Sequence, residues 1–216
     1  MWMQQKTPKP ERTRGRPVDT NQQDLKTQIL DTAENLFANH GYSATSIRRI
    51  ADGASVNPAL VHYYFGNKKT LLQTVMERSF EPLGASLLEM KDSPHAGPEQ
   101  IANLLFSMAA KHPNIPHLIT REVLLPGGEM RDFFAENLAP RLGGALPALL
   151  EKEKTAGRMR EDSDASISAV LIMAVCMFPF IARTLAEPVL GVKYDDAGKA
   201  ILNQQITALL KEGMAR

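Results

Sequence analysis

Residues 45–67 read TSIRRIADGASVNPALVHYYFGN, and this stretch decides the fold. Its clearest local signal is Asn57-Pro58. An asparagine side chain accepts hydrogen bonds from the first amides of a helix. A proline at the first helical position costs nothing, because that N–H has no helical partner. A helix is therefore expected from Pro58 to about Tyr64, stopped by Gly66, with Asn67 capping a further helix from Lys68. Upstream, Thr45 is placed as the N-cap of a short helix that carries Ile47, Ile50 and Ala51 inward and ends near Gly53. Ala54-Ser55-Val56 then reads as a tight break. Two short helices joined this way make a helix-turn-helix unit once a longer helix braces them. Its expected inner set is Ile47, Ile50, Ala51, Val56, Val61 and Phe65. Its outer set is Arg48, Arg49, Asn57, Pro58, Ala59, Leu60, His62 and Tyr63.

The bracing helix lies just before. Leu25, Ile29, Leu30, Ala33, Leu36 and Phe37 recur at helical spacing over residues 24–39, and Gly41 stands where a left-handed C-terminal stop belongs. On the other side, Leu71, Leu72, Val75 and Met76 give the fourth helix an inner face.

The stretch from Ile29 to Met76 resembles the N-terminal domain of the TetR family of transcriptional regulators. The resemblance is carried by Ala33, Leu36 and Phe37, by Gly41-Tyr42, by Thr45-Ser46-Ile47 with Ile50-Ala51, and by His62-Tyr63-Tyr64-Phe65 leading into Asn67-Lys68 and Leu71-Leu72. Ser55 departs from it, since the family usually has glycine in that turn, and the serine must accept the backbone angle the turn requires. The resemblance implies that Pro58 to Tyr63 form a recognition helix in the major groove. Asn57, Pro58, Ala59 and His62 would face base edges, Ala59 and Leu60 thymine methyls, and His62 and Tyr63 phosphates or sugars. Ser46 and Arg48 would lie near the DNA backbone, and Lys68 would hold a phosphate at the start of the fourth helix. It also implies dimerisation through the last two helices, and coupling of a bound ligand to the head through the fourth.

Residues 1–23 show no apolar periodicity and are read as a flexible basic arm, whose Arg14-Gly15-Arg16-Pro17 suits a narrow minor groove or phosphates. The charge distribution agrees. Residues 1–80 hold 11 lysines and arginines against 7 acids, and residues 81–216 hold 14 against 17, within a net charge of +1. A basic head on a mildly acidic body suits a nucleic-acid partner.

The remainder reads as helices over 98–111, 115–125, 128–156, 163–188 and 195–213, with Pro140, Pro147 and Pro179 expected to kink or divide them. The fold class is therefore all-α: a DNA-binding domain at 24–70 and a ligand-binding and dimerisation body at 71–216. Low aromatic content (6%) with ten methionines fits an adaptable helical core. Ala165 to Ala182 is almost continuously apolar, but Ser166, Ser168 and Pro179 favour a buried helix in a dimer core over a membrane span. For a large apolar or aromatic effector, the candidate contacts are Phe106, Phe133, Phe134, Met173 and Met177. His117, Arg121, Glu122 and Arg183 are the candidate polar anchors.

The single cysteine, Cys176, excludes an intrachain disulfide, and no apolar run follows the basic N-terminus, so a cytoplasmic location is expected. No metal-ligand cluster, phosphate loop, nucleophile elbow or dinucleotide fingerprint occurs, so neither catalysis nor a cofactor is expected. The expectation is a dimeric repressor that binds a palindromic DNA operator and is released by a small molecule. An activator of the same fold, a helical enzyme and a non-specific DNA-binding adaptor are the alternatives.

Overall fold

The apolar stripe of residues 24–39 is one face of a long first helix, α1 (Asp19–Ala44), which buries Ile29, Ala33 and Phe37 completely. The computed structural model describes residues 19–93, 96–142 and 144–214, and no β-strand occurs among them. The helix starts at Asp19, earlier than residue 24, so the arm boundary drawn at residue 23 moves back. Polar residues without periodicity can extend a helix that an apolar stripe has already nucleated, because each added residue gains a hydrogen bond.

At Gly41 the chain leaves helical geometry with φ 81° and ψ 167°. That region is open essentially only to glycine, and it is extended in ψ where a left-handed stop was expected. Then follow α2 (Ile47–Gly53), α3 (Pro58–Phe65) and α4 (Lys68–Asp92). Asn57 and Asn67 cap α3 and α4 as read from the sequence, accepting from the amides of Ala59 (2.8 Å) and Thr70 (2.9 Å). The cap of α2 differs. Ser46 accepts from the Arg49 amide at 3.1 Å, while the Thr45 hydroxyl is buried and donates to the Gly41 carbonyl at 2.8 Å. Either residue can cap. The turn at Gly41 draws Thr45 inward and leaves the cap to its neighbour. Ser55 adopts φ 52°, the one positive φ outside glycine among the described residues.

The body comprises α5 (Pro98–Lys111), α6 (Asn114–Ile119), α7 (Arg131–Phe133), α8 (Ala139–Leu142), α9 (Ala145–Thr155), α10 (Ala165–Ile181), α11 (Arg183–Leu190) and α12 (Asp196–Met214). Two wide π-helical turns extend α6 and α7, over Thr120–Leu124 and Phe134–Leu138. The single helix expected over 128–156 is thus divided. The second π turn ends two residues before Pro140, whose ring would strike the carbonyl four residues back in a regular helix. Pro147 lies in the first turn of α9, where its missing N–H is harmless. The helix expected over 163–188 likewise breaks at Ala182 into α10 and α11, which meet at 70°. No single helix among the described residues is long and apolar enough to cross a membrane.

Helix α10 packs on α5 and α9, α12 packs on α5, and α1 packs on α4 and α6. The core is sealed by Ile101, Ile115, Leu118, Ile172 and Leu146, each no more than 1% exposed. Burying such side chains contributes about 1.5–3 kcal/mol apiece. Glu153, 1% exposed, ties the α4–α5 connection to the end of α9. It accepts two bonds from Arg158 (2.7 and 2.8 Å) and one from the Ala96 amide (3.3 Å).

Candidate functional site

Helix α3 is anchored from below by Val61 and Phe65, both buried, and by α2, whose Ile50 and Ala51 are fully buried. Its other face is open. Asn57, Ala59, His62 and Tyr63 are exposed, Tyr63 to 78%, whereas Pro58 and Leu60 are half-buried. A large aromatic at that exposure on a well-packed domain is an available contact surface. The Asn57 carboxamide oxygen accepts the cap bond, and its amide nitrogen keeps both donors. The His62 ring lies with Nδ1 2.8 Å from the Gly66 carbonyl. A carbonyl only accepts, so Nδ1 carries the proton and Nε2 is turned outward.

At the start of α2, Ser46 and Arg48 are exposed. Arg49 donates to His40 Nε2 at 2.8 Å, which braces α2 on α1. Arg14 and Arg16 lie outside the described residues. Lys68, expected at a phosphate, engages two of its three ammonium donors within the head. Its ammonium donates to the carbonyls of Tyr42 (2.8 Å) and Thr45 (2.9 Å) and stands 4.0 Å over the Tyr42 ring. The α1–α2 turn presents two carbonyls to the start of α4 and so takes up the charge.

In the body, a cleft of about 1100 Å³ opens between α4 and the α8–α9 segment. Phe80, Leu87, Leu138, Leu142 and Leu149 supply its apolar wall, and Lys91 and Lys152 stand at the end away from the head. Lys152 is tied there, donating to the carbonyls of Lys91 (3.1 Å) and Ser93 (3.0 Å). None of the nine candidate effector contacts lines this cleft. Phe106 is 3% exposed and packs on Phe180, with ring centroids 5.2 Å apart. Phe134 packs on Phe80 at 5.6 Å, just behind the wall, and Phe133, Met173 and Met177 are half-buried beside the core. Arg183 pairs with Glu187 at 3.0 Å and covers the Tyr194 ring. Burial, and then Arg121, holds His117 below the ordinary imidazole range. Arg121 and Glu122 turn toward the head: Arg121 donates to the Ala38 carbonyl (3.3 Å) and Glu122 accepts from the Tyr42 amide (2.8 Å). The side chains of an amphipathic helix next to apolar residues can equally face a neighbouring domain, and sequence periodicity does not separate the two cases.

Residues 29–75 match the model of bacterial regulatory proteins of the tetR family, and residues 94–213 match the tetracyclin repressor-like C-terminal domain. This chain belongs to the TetR family. It is a DNA-binding transcriptional regulator, with an all-helical body behind a helix-turn-helix head. The chain is similar to the HTH-type transcriptional repressor NicS of Pseudomonas putida, at 28% identity over 213 residues, covering 94% of this chain and 99% of that protein. Among solved structures, the ketosteroid transcriptional regulator KstR2 of Mycobacterium tuberculosis superposes with TM-score 0.71 at 18% identity, covering 92% of this chain and 97% of that one. The regulator FadR of Bacillus subtilis, solved with stearoyl-CoA, gives 0.66 at 21%, covering 87% and 98%.

For this TetR-family regulator, sequence reasoning missed Tyr42, Lys69, Glu129 and Arg131 as parts of the joint between head and body. Lys69 pairs with Glu129 at 2.9 Å across that joint. It also missed the cleft. Lys91 and Leu149 are 58 residues apart in the chain, and no local pattern marks their approach.

Proposed function

We propose that the protein is a dimeric repressor that binds a palindromic operator and leaves it when a small apolar or aromatic molecule binds the body. The exposed face of α3, with Tyr63 at 78% exposure above a sealed domain, carries the DNA reading. In this reading Asn57, Pro58, Ala59, Leu60, His62 and Tyr63 meet the major groove, Ser46 and Arg48 the flanking backbone, and Arg14 and Arg16 the adjacent minor groove. The head spans roughly residues 19–70.

Dimerisation is supported by an apolar face that the chain itself leaves uncovered. Ile167, Val170 and Phe178 on α10, Leu190 after the bend, and Ile201 and Leu209 on α12 are each at least 60% exposed. Contiguous apolar surface of this kind marks an association site. Two copies facing through α10 and α12 would bury it and place two recognition helices on one side of a duplex, about 34–36 Å apart or a multiple of that. The repressor direction is supported by the match to NicS over nearly its whole length. The effector site is supported by the α4–α9 cleft, since α4 links its wall directly to the head. FadR, of the same fold, was solved in complex with stearoyl-CoA, and a regulator from Saccharomonospora viridis in complex with choline.

The test is selection of duplexes from a randomised pool by the purified protein at moderate salt, followed by footprinting. Two symmetric half-sites should be enriched, and deleting the gene should raise expression from a reporter carrying them. A pool that stays random would overturn the assignment.

A further inference from the structure

The joint between head and body is built around the backbone of a single residue, Tyr42. Gly41 breaks α1, and the next residue, Tyr42, has its carbonyl held from within the head by Lys68 at 2.8 Å. Its amide is held from the body by the Glu122 carboxylate, also at 2.8 Å. Glu122 is 4% exposed and makes no salt bridge among the described residues. A buried carboxylate is costly unless hydrogen bonds replace its water. Here the replacements are two backbone amides, from Tyr42 and, more loosely, from Glu129 at 3.4 Å. The joint is also tight. A Cβ added at Gly41 would lie 3.0 Å from Arg121 Cδ and 3.4 Å from Glu122 Oε1.

Glu122 rides on the first π turn, a geometry that recurs where helices carry functional adjustments. Arg131 holds the end of that turn by donating to the carbonyls of Val123 (3.3 Å), Leu124 (3.4 Å) and Leu125 (3.2 Å). The same Arg131 opens α7, which runs through the second π turn to Leu138 on the cleft wall. A physical connection thus runs from the cleft through Arg131 and Glu122 to Tyr42.

We infer that Glu122 is the positioning residue that locks the DNA-reading head to the body through the Tyr42 amide, and so sets the separation of the two recognition helices. This rests on the dimeric DNA-binding reading above. Loss of the carboxylate releases the α1–α2 turn of the head from the body. The operator should then be bound with less regard to half-site spacing, while each head still reads its own half-site.

The test uses the full-length protein with Glu122→Ala and Glu122→Gln. Amide exchange over residues 38–46 should quicken by roughly tenfold or more in Glu122→Ala, the loss expected for a charge-assisted hydrogen bond, with α5 unchanged. A neutral amide accepts more weakly, so Glu122→Gln should quicken it only a few-fold, and this decides the matter should the alanine variant not fold. The DNA probe is the duplex that the wild type enriches most, rebuilt with half-sites moved by one or two base pairs, and as a single half-site. The wild type should lose about tenfold in affinity for the two-base-pair shift, and Glu122→Ala less than about threefold, with single half-site affinity equal in both. Unchanged exchange, unchanged spacing preference, or a parallel fall in half-site affinity would each overturn the inference. If the wild type enriches no duplex, the DNA reading fails instead, and the exchange measurement still judges the lock.

Discussion

Replacing Lys68 with methionine keeps the aliphatic stem and removes the ammonium. The ammonium donates to the carbonyls of Tyr42 at 2.8 Å and Thr45 at 2.9 Å and sits 4.0 Å over an aromatic ring. A hydrogen bond from a charged donor contributes about 1.5–3 kcal/mol, and an exposed cation–π contact about 0.5–1. The site is half-buried, so water recovers part of this. A net loss of about 2–3 kcal/mol is expected after that discount. For a chain of this length each kcal/mol lowers the melting temperature by about 2–4 °C, which predicts a fall of roughly 4–12 °C. Scanning calorimetry at fixed protein concentration measures it. The paired assay is operator affinity against salt. A lysine on a phosphate contributes about one unit to the slope of log affinity on log salt, and a lysine that holds backbone carbonyls contributes almost none. Affinity should therefore fall with the slope kept. A slope lower by about one unit at unchanged melting temperature would refute the reasoning and return Lys68 to the DNA backbone.

Ser55→Gly should stabilise the protein by about 0.5–1 kcal/mol, because a left-handed angle costs a side chain about 1–2 kcal/mol and glycine gives part of that back in the unfolded chain; a lower melting temperature would contradict this. Phe178→Glu, at the C-terminal end of the exposed stripe on α10, should convert the proposed dimer to monomer by analytical ultracentrifugation and weaken operator binding without disturbing the helical circular dichroism; a dimer that persists would move the interface elsewhere. Burial pushes the Cys176 thiol from 9.0 to about 12. Because the folded value lies above the unfolded one, the thiol's contribution to stability is complete below pH 9 and is lost between pH 9 and 12. Native Cys176 should react with a disulfide reagent at pH 8 at least about a hundredfold more slowly than in denaturant, and equal rates would show that the site is open.

Most of the head was legible in the sequence. Asn57-Pro58 and Gly66-Asn67 act within one turn of themselves, and the stripe from Ile29 to Phe37 repeats at the period of the helix that carries it. The apolar positions of α12 were legible for the same reason, but not that Ile206 and Leu210 turn into the core while Ile201 and Leu209 stay exposed. Ser55 stood out only as a departure from the family resemblance, and the structure gives it a positive φ.

The effector candidates show where such reading ends. Arg121 and Glu122 stand in an apolar helix whether that helix faces a ligand or a neighbouring domain. Their partners, Ala38 and Tyr42, lie about 80 residues away along the chain. The division of residues 128–156 could be suspected from its prolines, but not the π turn that accommodates one of them.

What the chain alone determines is whatever neighbouring residues decide among themselves: where helices start, stop, and turn an apolar side inward. Caps and periodicity act over one or two turns, so they survive in any surroundings. Tertiary structure decided which of two adjacent hydroxyls caps α2, that Lys68 spends its charge on the α1–α2 turn, and that Glu122 grips the head. Those outcomes depend on which carbonyls and amides lack partners once distant segments meet, and no local pattern records that.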